Sequence, residues 1–104
     1  MDLGALHAEL FEPRVGSGFR FADADAVVIE ATLLECTVHP RATMPGATRA
    51  AFSLIFAVPL VDRPEVRGGT FIVHHAAMES FGPVHVERIH SARPGTALFE
   101  IAFN

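Results

Sequence analysis

A chain of 104 residues, half of them hydrophobic and 19% charged, is long enough for one core without disulfide or metal staples and too apolar to be disordered. Its formal charge of −4 favours solubility, and its eight basic residues, all arginine, are scattered with no Trp or Tyr between them, which disfavours a nucleic-acid surface. The longest apolar run, Ile55 to Val61, is too short to cross a bilayer, and the single Cys36 permits no internal disulfide, which suggests a reducing, cytoplasmic setting.

In chain order, the first segment reads as a short helix over 1–13. Leu3, Leu6 and Leu10 recur at helical spacing with Phe11 closing the stripe; Asp2 serves as N-cap, and Pro13 and Gly16 end it. The opening MDLGALHAELFEP lacks a basic n-region and a continuous apolar run, so no secretory leader is expected. The helix is expected to cap an open end of a sheet.

After Gly18 the period becomes two. Phe19 to Ala22 forms a brief strand, Asp23-Ala24-Asp25 a turn, and Ala26 to Val38 a long strand. Val27, Ile29, Ala31 and Leu33 share one phase, whereas Leu34, Cys36 and Val38 share the other. A one-residue slip of this kind predicts a β-bulge at Leu33–Leu34. The segment 39–48, with Pro40, Pro45 and Gly46, reads as a loop. Ala51 to Val58 is apolar on both phases and is expected to be a central strand. A second loop covers Pro59 to Arg67, and a strand runs from Thr70 to Ala76 with Phe71, Val73 and His75 on one face. Ala77 to Gly82 reads as a hairpin connection, Pro83 to His90 as a fifth strand, Ser91 to Gly95 as a turn, and Thr96 to Phe103 as the last strand. The fold expected is therefore a single all-β domain over 1–104, with about six antiparallel strands in a small barrel, roll or tight sandwich.

Six histidines raise the question of a metal. On a hairpin of the fourth and fifth strands, His85 and Glu87 point to one face while His90 points to the other, and His74 and His75 oppose each other. The most generous set is therefore His74 or His75 with His85 and Glu87, three ligands with one open position. No paired cysteine, His-Glu-x-x-His or His-x-His spacing supports it, so cross-strand packing is the simpler role and no metal or cofactor is assigned. His75, in phase with Phe71 and Val73, is expected to be partly buried and to fix a loop by hydrogen-bonding a backbone carbonyl; a proton-transfer role would need Glu100 on an adjacent strand. Cys36 lies among apolar strand residues, where a thiol is a small hydrophobe with a raised pKa. Ser53, Ser80 and Ser91 lack a nucleophile elbow, and Gly16/Gly18 and Gly68-Gly69 do not bridge a strand to a helix, so no phosphate cradle is expected. No enzyme signature emerges.

Leu6 to Gly16 (LHAELFEPRVG) with Phe19-Arg20, then Ala51 to Phe56, Gly69-Thr70-Phe71 with His75, and Phe99 to Asn104, together resemble a bacterial small β-domain family of unknown function. The chain departs from that pattern in the 39–48 loop and in the Phe81–Ile89 strand. The resemblance implies no activity; it implies an accessory role beside proteins resembling phage tail-collar or tail-fibre subunits.

The leading expectation is a non-enzymatic module that self-associates or docks on a protein partner, suggested by the two apolar strand phases, nine Phe residues and a final strand that offers an edge. A barrel for a small apolar ligand and a His/Glu metal site with hydrolytic chemistry are the alternatives.

Overall fold

In the computed structural model, which describes residues 2–25, 27–61 and 67–104, six antiparallel strands close into a barrel. They are β1 (Gly18–Ala22), β2 (Val28–His39), β3 (Ala51–Pro59), β4 (Gly68–His75), β5 (Met78–Ile89) and β6 (Thr96–Phe103). Around the barrel they run β1-β2-β3-β6-β5-β4, with β4 pairing back to β1.

Period-two alternation explains the wall. Phe19 and Phe21 of β1, Ile29, Ala31 and Leu33 of β2, and Leu98's neighbours Ala97, Phe99 and Ile101 in β6 turn inward and are buried. All nine phenylalanines lie in the core. The expected surplus of Phe for an interface therefore does not exist: six strands enclose just enough volume for these rings, which pack edge-on or stacked through the interior. At roughly 1.5–3 kcal/mol per fully buried ring, this cluster is the main stabilising element.

The bulge expected in β2 is present. Leu33 pairs with Phe56 and Glu35 with Ile55, so Leu34 is extra and the inward phase passes to Cys36, opposite Leu54. β3 turns Phe52, Leu54, Phe56 and Val58 inward, while Ala51 and Ser53 on its other phase are buried as well. The 39–48 loop is tied down: a 3-10 turn spans Pro40–Ala42, and Thr43 Oγ1 donates to the His39 carbonyl while accepting from the Ala51 amide. The expected Pro59–Arg67 loop lies partly outside the described residues.

Two elements differ from the expectation. The N-terminal helix is broken into a 3-10 turn (Leu3–Ala5), a four-residue α1 (Ala8–Phe11) and a second 3-10 turn (Glu12–Arg14), with Leu6 and His7 extended between them. Asp2 caps the first turn, its carboxylate accepting from the Gly4 amide. A continuous helix would have sent Leu3, Leu6 and Leu10 inward; the break instead buries Leu6, Ala8 and Phe11 completely or nearly so. A segment this short gains more from tertiary packing than from helical bonds. It does cap the barrel, with the Phe11 ring 5.6–6.4 Å from those of Phe19, Phe52, Phe81 and Phe103.

The second difference is the β4–β5 hairpin. Met78 to Phe81 are strand, pairing as His75↔Met78 and Val73↔Phe81, so only Ala76 and Ala77 make the turn. Register shifts on both sides of Val73 scramble the alternation that would otherwise mark this stretch. One shift lies beside Gly82, whose φ is +131°; a Cβ there would stand 2.7 Å from the Phe71 carbonyl oxygen, so only glycine lets the two backbones approach.

Candidate functional site

The sheet register decides the histidine question. His85 stands opposite Thr70 and Glu87 opposite Gly68, whereas His74 is four residues further along β4, about 13 Å of strand away. His74 Nδ1 meets Ser80 Oγ at 2.7 Å instead. His85, Glu87 and His90 are exposed. Among the described residues no group of three or more His, Cys, Asp or Glu side chains is placed to hold a metal ion. Glu100 does not reach His75 either, because β5 lies between β6 and β4.

His75 is half-buried, as expected, and its ring lies 4.4 Å from that of Phe19, tilted by 46°. Its Nδ1 accepts from the Ala77 amide at 3.0 Å, which closes the hairpin turn. The expected backbone partner was a carbonyl; the one found is an N–H, and this fixes the tautomer. With Nδ1 an acceptor, Nε2 carries the hydrogen and donates to Ser17 Oγ at 2.9 Å, and Ser17 donates onward to the Arg14 carbonyl at 2.6 Å. A Ser–His contact of this length would suggest a nucleophile and its base. The direction of the protons rules that out, since the imidazole gives a hydrogen to Ser17 and has no lone pair aimed at it. Burial pulls the His75 pKa below the usual histidine value, and the nearby Arg14 guanidinium lowers it further. The arrangement is a neutral lock joining the β4–β5 turn to the segment that precedes β1.

Two other serines are similarly engaged. Ser53 is 6% exposed and its Oγ lies 2.8 Å from His39 Nε2, while Ser91 shapes its own turn with the Arg93 backbone. Cys36 donates to the Ala8 carbonyl at 3.7 Å; burial raises its thiol pKa and the Glu12 and Glu9 carboxylates add to the effect, so it is a poor nucleophile at neutral pH.

The feature with the clearest capacity for recognition is a seam in the barrel wall. β6 pairs with β3 at eight successive positions, from Phe52↔Phe103 to Pro59↔Thr96. Toward β5 it pairs at three, Glu87↔Glu100, Arg88↔Phe99 and Ile89↔Leu98. No ladder pair joins Ile101–Phe103 to the part of β5 that precedes Glu87. A groove of about 400 Å³ runs along this seam, bordered by Pro83, His85 and Glu87 on one side and Glu100, Ala102 and Asn104 on the other. Val84, Ile101 and Phe103 line its inner side, and Phe103 meets the rings of Phe11 and Phe81 in the core. Pro83 has no N–H to offer a ladder.

At the end of the seam Arg49 fastens the chain. Its Nη1 donates to the Leu3 carbonyl at 2.6 Å and to that of Leu6, its Nε donates to the Asn104 carbonyl at 3.1 Å, and the guanidinium lies 5.6 Å from the ring centres of Phe52 and Phe103. Neither Arg49 nor Ser17 carries a sequence signal, because each meets its partners only through tertiary contacts. The seam had one: a proline inside a strand marks an edge without a ladder partner.

No helix among the described residues is long and apolar enough to cross a membrane. No match is found among curated proteins or among solved structures. The family model described as Domain of unknown function (DUF6916) matches residues 6–103. Spanning nearly the whole barrel with its cap, that match places this chain in the DUF6916 family.

Proposed function

We propose that this chain is a non-enzymatic interaction module whose β5–β6 seam takes up an extended segment of another protein by strand addition. The observation that carries the reading is the pair of strand edges that face one another without a ladder: a third strand laid between them would pair with both. Nine buried rings crowd the interior, which speaks against a barrel for a small apolar ligand, and the fixed tautomer of His75 leaves Ser17 without a base. An accessory place in a phage-tail-like assembly, implied by the family resemblance, suits such a module, because assembly proteins exchange strands where enzymes need clefts. The unpaired Cys36 fits a reducing, cytoplasmic setting.

The test is selection of a displayed library of short peptides on the immobilised chain, followed by amide chemical-shift mapping of the peptides recovered. Shifts centred on Val84–Val86 and Ile101–Phe103 are expected. Binders that map to the opposite wall, or none at all, would remove the reading.

A further inference from the structure

The chemistry at the closed end of the seam specifies what it accepts. Glu87 and Glu100 stand directly opposite each other at the last ladder pair, on the outer face, where opposed side chains have Cβ atoms roughly 5 Å apart. Like charges in this position destabilise a sheet. Elsewhere the wall avoids the conflict: on β1–β2, Arg20 faces Glu30 and its Nε donates to the carboxylate at 3.0 Å. The arginine that lines the groove, Arg49, is spent on three carbonyls and two rings. Both carboxylates border the groove, so an added strand would bring its own side chains to them. On the inward side the same strand would meet Val84, Ile101 and Phe103, which line the groove and are already packed into the core, leaving no room for a large residue.

We propose, resting on the strand-addition reading above, that the β5–β6 seam recognises an extended segment of a partner protein with small residues at its inward positions and a lysine or arginine at the outward position beside Glu87 and Glu100. The open edges supply the backbone pairing and the unmatched carboxylate pair selects the basic residue. The free part of β6, three residues long, sets the scale of the recognised core at three or four residues.

Peptides recovered from the displayed library test this directly. Enrichment of Lys or Arg at one position is expected, with Gly, Ala or Ser on either side. Replacing that basic residue by Gln in a labelled peptide is expected to weaken binding about tenfold in fluorescence anisotropy at low ionic strength. Against the double variant Glu87→Gln/Glu100→Gln, the Lys and Gln peptides should bind equally. That variant relieves a repulsion on an exposed face, so its circular dichroism and denaturation midpoint confirm that it is folded. Seam-binding peptides without charge preference would overturn this inference while leaving strand addition standing. A basic preference that survives the double variant would place the contact elsewhere. Failure to recover any seam binder would remove both readings, as would a concentration-dependent dimer that buries the seam against a second copy.

Discussion

The two sides of β6 make the most instructive contrast in the molecule. One strand, with one sequence, completes eight pairs with β3 and three with β5. The difference lies in what sits beneath each junction. On the β3 side Phe52 and Phe103 stack at 4.7 Å, nearly parallel, and draw the strands together. On the β5 side the facing rings, Phe81 and Phe103, stand 6.3 Å apart and tilted by 58°, with Phe11 touching both. Strand pairing in a small barrel thus follows how the interior rings pack as well as backbone hydrogen bonding.

Removing the Phe11 ring should produce the largest effect. Phe11→Ala is expected to cost about 3–5 kcal/mol in chemical denaturation, since a fully buried ring with four aromatic neighbours leaves a large cavity. A loss below about 1 kcal/mol would mean that the N-terminal cap adds little to the core. Next comes Gly82→Ala, which forces a side chain into a positive φ against the Phe71 carbonyl; a loss of about 1–3 kcal/mol is expected, with the hairpin beside the seam the first part to lose amide protection. Arg49→Met keeps the apolar stem and deletes the guanidinium; a loss of about 2 kcal/mol is expected, with faster exchange confined to residues 3–6 and 104.

The smallest effect concerns pH. The His75 pKa is lowered in the folded protein, so the unfolded chain binds the proton more readily. Its contribution is fully present above the ordinary histidine value near about 6.5 and is lost as pH falls through that value towards the folded one. The denaturation midpoint should decline over that range in the wild type and decline less in His75→Asn. An equal decline in both would assign the titration to other groups.

The strands were legible wherever alternation ran unbroken. β6 and the inward phase of β1 follow from apolar spacing alone, β3 was legible as a central strand but not in its inward phase, and the Leu33–Leu34 bulge follows from a phase slip that has no other simple cause. Legibility failed where local pattern and tertiary contact diverged. Met78–Phe81 was hidden by two irregularities in one hairpin, and the break at Leu6–His7 follows from where the barrel needs Phe11, which helical spacing does not encode. The seam was half legible: the final strand was expected to offer an edge, but Pro83 was read only as the start of the fifth strand, and that β6 parts from β5 and not from β3 depends on closure of the whole barrel.

The bonds to Arg49 also have a use for construction. Because the carbonyls of Leu3 and Asn104 accept from the same guanidinium, residues 3 and 104 lie side by side. A host protein could therefore carry this domain inside one of its own surface loops, with both splice points adjacent. Such a graft would hold the β5–β6 seam at a chosen place on the host's surface.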